Sequence, residues 1–120
     1  MTIVSVLVYY YSMTDLNNPK IKQLFRALLS LKNEDEAARF CRDLLTLPEI
    51  NELAARLSVA EKLSLGQTQR QVAAETDVSI ATVTRVNQWL RRGMGGYNMI
   101  IPRIQKIVAT HSHKTQSAVL

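Results

Sequence analysis

Small and hydroxylated side chains in the second half of the sequence could bring a backbone close to the edges of DNA bases. Ala81, Thr82 and Thr84 lie together in the run "IATVT". Methyl groups contact thymine and hydroxyls hydrogen-bond to base edges, while small side chains let a helix enter the major groove. Arginines that could bind guanine edges or phosphates lie nearby: Arg70, Arg85, Arg91 and Arg92. These residue types indicate recognition of nucleic acid.

A short helix must hold the first of these arginines. Thr68 is a favourable N-cap residue, and Gln71 three residues later completes a capping-box pattern. The segment "QRQVAAET" then provides about two helical turns before Asp77 and Val78 turn the chain.

A second helix must present the small residues. Ser79 is its predicted N-cap, the helix runs from Ile80 to Arg92, and Gly93 closes it. The residues expected on its buried side are Ile80, Val83 and Leu90. Two short helices joined by a tight turn predict a helix-turn-helix at about residues 68–92. The alternative is an ordinary helical hairpin inside a bundle.

Three further helices are predicted before this motif and one after it. The N-caps of the first three are Asn18, Asn33 and Thr46, and Gly66 stops the third. The sixth helix follows a "GMGG" joint, and Pro102 is acceptable only near its first turn. Its apolar residues need a partner surface: Met99, Ile100, Ile101, Ile104, Ile107 and Val108.

The composition fits one all-α domain. Of 120 residues, 47% are hydrophobic and 6% aromatic, and glycine and proline are sparse, which favours a helical core over a sandwich or barrel. We predict a helical domain at residues 18–110. An N-terminal extension, flexible or forming an arm, occupies residues 1–17, and a flexible tail occupies residues 111–120.

Basic residues are concentrated towards the middle of the chain. Residues 56–106 contain eight basic and three acidic side chains, whereas residues 1–55 contain six and seven. Such a block is a plausible footprint for a phosphate backbone, although many basic domains bind no nucleic acid.

Several other kinds of site are not predicted. The lone Cys41 cannot form an intramolecular disulfide, which favours a reducing cytoplasm. The apolar run at residues 3–11 is too short to span a bilayer. His111 and His113 lack further ligands for a metal. No nucleophile, base and orienting group converge, so we expect no enzyme activity and no cofactor.

The segment at residues 68–90 resembles the helix-turn-helix of the Trp repressor family, most specifically in "IATVTR" at residues 80–85. The stretch "LPEINELAARLSVAEKLSLG" is similar to that family's third helix, and "LFRALLSLKNEDEAARFCRDLLT" resembles the YerC/YecD-type branch of Trp-repressor-like proteins. The resemblance covers roughly residues 18–100. It implies an intertwined, all-helical homodimer that binds double-stranded DNA at a palindrome.

The resemblance also implies roles for individual residues. Those implied to face bases are Arg70, Ile80, Ala81 and Thr84, and those implied to lie near phosphates are Gln69 and Thr82. Ala73 replaces a basic residue of the family's motif, which weakens one contact.

An effector pocket is implied as well. The family's repressor holds tryptophan between two arginines whose counterparts here are Arg56 and Arg85, but Val86 and Trp89 replace its glycine and serine. We therefore expect L-tryptophan binding to be lost or much weakened, and any other effector is unknown. Trp89 either fills the pocket as a built-in ligand, packed on an arginine, or is an ordinary core or dimer-interface aromatic.

The sequence thus predicts a cytoplasmic, repressor-type transcriptional regulator that binds DNA as a homodimer and does not enter the membrane. One alternative is a replication-origin or transposase-type DNA reader, although no nucleotide-binding or nuclease motif is present. Another is a protein-interaction module that uses the apolar sixth helix.

Overall fold

The computed structural model describes residue 3 and residues 16–118, with side chains described as far as residue 107. Residues 16–118 contain helices and no strands, which confirms the predicted all-α fold. The helices are α1 (Pro19–Leu29), α2 (Glu34–Leu44), α3 (Leu47–Ser64), α4 (Gln69–Thr76), α5 (Ile80–Arg92) and α6 (Gly96–Ala118). The chain divides into two compact units, Met1–Glu52 and Leu53–Leu120.

The predicted N-caps of the first unit are confirmed. Asn18 Oδ1 accepts a 2.8 Å hydrogen bond from the Lys20 backbone N–H, one of the donors that a helix start leaves unpaired. Asn33 Oδ1 accepts from the Glu36 N–H at 2.9 Å. The Glu36 carboxylate in turn accepts from the Lys32 N–H, one residue before the cap.

Glycines end α3 and α5, as predicted. At the end of α3, Gly66 adopts a left-handed φ of +93°, and the Gly66 and Gln67 N–H groups donate to the carbonyls of Leu63 and Lys62. This pair of bonds is the Schellman arrangement. Gly93 ends α5 in extended backbone, where a Cβ would clash with the carbonyl oxygen of Trp89.

The buried core lies in the second unit. It joins α3, α4, α5 and α6 through small aliphatic side chains, which allow helices to approach closely. Its buried members are Val59, Ala60, Leu63, Val72, Val83, Val86, Leu90 and Ile101. The Asn98 side chain donates to the Leu90 carbonyl at 3.1 Å and so ties α6 to the last turn of α5.

The described residues of the first unit, 16–52, contain no buried side chain. Helix α1 nevertheless has a continuous apolar face at the predicted spacing. The large side chains on it that are exposed are Leu24, Phe25, Leu28 and Leu29. Cys41, expected in an apolar row, is half-buried and unpaired.

Two expectations about side-chain placement are wrong. Ile80 was expected on the buried side of α5 but is 51% exposed. The buried residues of α5 are Val83, Val86 and Leu90, and at 3.6 residues per turn Ile80 falls at the edge of the face that they form. Pro102 lies in the second turn of α6 rather than the first, because the helix already begins at Gly96. Since proline has no N–H, the Asn98 carbonyl loses its usual helical donor.

Helix α6 also continues further than predicted. Its helical backbone runs to Ala118, past residue 110, and the bounds of 18–110 for the helical domain stay a prediction. No glycine or proline follows Pro102 to stop it. The flexibility expected of residues 111–120 stays a prediction, and the extension at residues 1–17 lies almost wholly outside the described residues.

Candidate nucleic-acid interface

The turn between α4 and α5 is fixed by local hydrogen bonds. Asp77 adopts a left-handed φ of 59°, a conformation that aspartate tolerates better than most residues. The Thr76 hydroxyl donates to the Val72 carbonyl at 2.6 Å and accepts from the Val78 N–H at 3.4 Å. The two helices therefore meet at a defined, tight corner, as the predicted helix-turn-helix requires.

Both helices of the motif begin with the predicted caps. Thr68 and Gln71 form a complete capping box, with bonds of 3.2 Å and 2.9 Å. Ser79 Oγ accepts from the Thr82 N–H at 3.2 Å and donates to Thr82 Oγ1 at 3.0 Å. The Ser79 hydroxyl therefore donates its proton within the protein, whereas the Thr82 hydroxyl does not donate its proton to Ser79.

Helix α5 has two distinct faces. Val83, Val86 and Leu90 are buried against the core. At spacings of four, three and four residues, an opposite row of side chains is exposed: Ala81, Arg85, Gln88 and Arg92. Because a helix turns once every 3.6 residues, this row follows one line along the outer surface. Gln88 was not predicted as a site residue, although its spacing from Ala81 and Arg85 could have identified it.

Three further predicted contact residues are exposed. Ile80 and Arg91 are exposed one helical position to its side, and Arg70 is exposed near the start of α4. Helix α5 carries three arginines and no acidic residue, so its outer surface is basic. Ala73 is half-buried and packs against the core, so it presents no side chain that could replace the basic residue expected there.

Thr84 and Gln69 are brought together by the packing of α5 on α4. Thr84 Oγ1 donates a 2.9 Å hydrogen bond to Gln69 Oε1, and both residues are half-buried. Nearby, the Lys62 ammonium lies 3.2 Å from the Glu75 carboxylate, which links α3 to α4.

The residues of the suspected effector pocket are occupied by packing contacts. The Val86 side chain is fully buried in the core. The Arg56 guanidinium carbon lies 5.6 Å from the centre of the Trp89 ring, within the range of a cation–π contact. Trp89 is 43% exposed, so it is not an ordinary core aromatic of the single chain. Arg85 is exposed on the outer row.

The described residues contain neither a metal-binding cluster nor a helix that could span a membrane. These residues contain no group of three or more His, Cys, Asp or Glu side chains that could hold a metal ion. None of the described helices is both long and apolar enough to cross a membrane. The side chains of His111 and His113 lie outside the described part.

Comparison with known families identifies the class to which this fold and interface belong. The family model described as "Trp repressor protein" matches residues 19–105, which is most of the chain. The chain belongs to the Trp repressor family.

Individual relatives agree with this assignment. The chain is 39% identical over 99 residues to YerC of Bacillus subtilis (strain 168), an uncharacterised protein, covering 82% of this chain and 95% of the relative. A solved TrpR-like protein of Eubacterium eligens superimposes with a TM-score of 0.72 at 39% identity, covering 77% of this chain and 95% of that one. A Staphylococcus aureus protein proposed as a Trp repressor gives 0.73 at 35% identity, covering 78% and 93%.

Proposed function

We propose that this protein is a non-catalytic, cytoplasmic transcriptional regulator of the repressor type, which lays α5 in the major groove of an operator. The division of α5 into a buried face and a basic outer face carries the proposal. Val83, Val86 and Leu90 fix the helix to the core. The outer row then offers a small residue, Ala81, for close approach to bases, and Arg85 and Arg92 for guanine edges or phosphates.

Arg70 and Ile80 support the same assignment. Both are exposed, Arg70 near the start of α4 and Ile80 at the start of α5, and the family resemblance implies base contacts for both. Ile80 is 51% exposed at the start of α5, so it contributes little to the core. Its side chain can instead pack on a thymine methyl group. Ser79 supports the contact indirectly, since its hydroxyl caps α5.

A homodimer is the second part of the proposal. Residues 16–52 bury no side chain within one chain, although α1 has a continuous apolar face. Helices in water gain most of their stability by packing such a face, and a second copy supplies an identical apolar surface. Two-fold symmetry would place two α5 helices about 34 Å apart, one turn of DNA, and so select a palindrome.

The third part is that L-tryptophan does not control binding. Val86 is committed to the core, and Trp89 packs against Arg56, the arginine expected to hold the ligand. The indole of Trp89 thus serves as a built-in ligand that links α5 to α3. This arrangement would keep the recognition helix in place without a small molecule.

The first experiment is selection of operators from a random DNA pool by the purified protein, with and without L-tryptophan. The proposal predicts the same palindrome in both arms. Enrichment only with tryptophan would show that Val86 and Trp89 accommodate the ligand. No enrichment in either arm would overturn sequence-specific DNA binding. Trp89→Ser tests the built-in ligand: unchanged operator affinity and no gain of a tryptophan response would reject it.

Two arginines separate base reading from phosphate binding. Arg70→Ala is expected to weaken operator binding by about 1–3 kcal/mol and to relax the preference at one base position. Arg91→Ala is expected to weaken binding to all sequences alike and to lower the salt slope by about 1. Equal losses on operator and random DNA for Arg70→Ala would contradict its assignment as a base reader.

A protein-interaction module is the second candidate function. The exposed apolar residues of α6, Met99, Ile100 and Ile107, favour it. Ionic strength separates the two functions, because DNA affinity falls steeply with salt whereas an apolar interface is much less sensitive.

A further inference from the structure

We propose that Thr84 is a positioning residue, whose hydrogen bond to Gln69 holds the Gln69 amide so that its NH2 group faces a DNA phosphate. The inference rests on the proposed function and on the family resemblance, which implies a phosphate beside Gln69, and it assigns Thr84 a task other than base reading. The 2.9 Å bond between Thr84 Oγ1 and Gln69 Oε1 joins side chains on the two helices of the motif.

The chemistry of the bond determines what each partner can still do. A glutamine Oε1 can only accept, so the Thr84 hydroxyl must donate its single proton to it. Thr84 Oγ1 is then left with acceptor capacity only. Phosphate oxygens, guanine O6 and N7, adenine N7 and thymine O4 are all acceptors, so Thr84 cannot donate to any of them while this bond is intact; only the adenine N6 and cytosine N4 amino groups remain as partners on base edges.

The same bond leaves the two N–H donors of the Gln69 side chain available. With Oε1 fixed on Thr84, the amide nitrogen Nε2 lies on the other side of the amide carbon and carries two N–H donors. Within the described chain, Nε2 has no hydrogen-bond partner and is not among the buried unpartnered atoms, so it is accessible to an external acceptor. A rotated amide would turn its oxygen outward instead, towards a negatively charged phosphate.

The pairing predicts that Thr84 acts on all DNA sequences alike. The test measures binding to the selected operator and to a random duplex at several salt concentrations. Thr84→Val removes the hydroxyl at nearly constant shape and is expected to weaken binding to both duplexes by the same factor, on the order of two- to tenfold. Thr84→Ser keeps the hydroxyl, so this variant should bind both duplexes with wild-type affinity. The salt slope should not change, because Gln69 is uncharged.

Substitutions of Gln69 show whether the two residues act as one unit. Gln69→Ala and Thr84→Val should not add, so the double variant should bind about as well as Gln69→Ala alone. Gln69→Glu still accepts the bond from Thr84 but presents a carboxylate where the NH2 group stood. Its binding should therefore be weaker than that of Gln69→Ala on both duplexes.

Several results would overturn the inference. One is a Thr84→Val variant that binds with wild-type affinity, or that binds the operator less well while binding random DNA normally. Another is a double variant whose loss equals the sum of the losses of Gln69→Ala and Thr84→Val. The last is a Gln69→Glu variant that binds DNA as well as Gln69→Ala does. Helicity and thermal unfolding check that Thr84→Val folds; if it does not, Thr84→Ala, which also removes the hydroxyl, takes its place in the same comparison with Thr84→Ser. A wild-type protein that binds neither duplex would overturn the proposed function, whereas wild-type binding with unaffected variants would overturn only the role of Thr84.

Discussion

The two units of the chain differ in how many of their apolar side chains are buried within one chain. In the second unit, α3 to α6 enclose a core, with Val59, Val72, Val83 and Val86 fully buried. In the first unit, the described residues 16–52 form capped, amphipathic helices that bury nothing fully within one chain. The second unit can therefore position a recognition helix by its own packing, whereas the first has an apolar surface that requires another molecule.

A charge placed on the apolar face of α1 tests whether the first unit requires a second molecule. Leu28, which is 44% exposed in the single chain, lies in the middle of that face. Fully burying a leucine is worth about 1.5–3 kcal/mol, so covering the 44% of Leu28 that one chain leaves exposed is worth about 1 kcal/mol. A symmetric dimer loses this gain twice and also buries two unpaired carboxylates, so Leu28→Asp should raise the dimer dissociation constant about hundredfold or more. Sedimentation equilibrium measures the dissociation constant directly.

The matched control is Gln23→Asp, which puts the same charge on the opposite, exposed side of α1. This variant should remain dimeric and bind operator normally. Operator affinity should fall with dimerisation in Leu28→Asp, while the helicity of the second unit persists. If Leu28→Asp dimerised as well as Gln23→Asp, α1 would not form the interface.

The second unit can be tested with two leucines two residues apart at the end of α3. Leu63 is 2% exposed, whereas Leu65 is 69% exposed. Leu63→Ala leaves a cavity between helices and should lower the free energy of unfolding by about 2–5 kcal/mol. Leu65→Ala should change it by no more than about 0.5 kcal/mol. Urea unfolding at fixed protein concentration measures both, and similar losses would contradict a core closed within this unit.

In the second unit, the sequence predicted the ends of the helices better than the burial of their side chains. The bounds of α4 and α5 followed from Thr68, Ser79 and Gly93, since caps and stops act within a few residues of themselves. The burial of Ile80 was predicted wrongly, because a spacing of three from Val83 does not say which neighbour completes the inner face. Val86 completes it, and the resemblance had drawn attention to that residue as part of an effector pocket instead.

The contact between Thr84 and Gln69 lay beyond sequence reasoning for a different reason. These residues are 15 positions apart, and whether their side chains meet depends on how α5 is rotated against α4. That rotation is set by core packing rather than by local pattern. The cation–π contact of Arg56 with Trp89 was anticipated only because the family resemblance placed both residues at one pocket.

The smallest predicted effect concerns a feature that both units share, the capping box. In the first unit, Thr46 Oγ1 donates to the Glu49 carboxylate at 2.8 Å, and the Thr46 N–H donates to it at 3.2 Å. These two bonds hold the pKa of Glu49 below its ordinary value, and the side-chain bond has the larger effect. Thr46→Val removes the first bond, so this pKa should rise, as an NMR pH titration would show.

The sign of the pH dependence follows from that lowered pKa. A carboxyl whose pKa is lower in the folded state adds stability above its ordinary pKa of about 4.3, and this contribution disappears as pH falls through the folded pKa. The stability gap between wild type and Thr46→Val should therefore narrow in acid, below pH of about 4.3. It should not vanish, because Thr46 Oγ1 also accepts from the Glu49 N–H, a bond that does not titrate. Thr46→Ser keeps both bonds and serves as the control. A gap constant with pH would show that the Glu49 carboxylate contributes nothing to this cap.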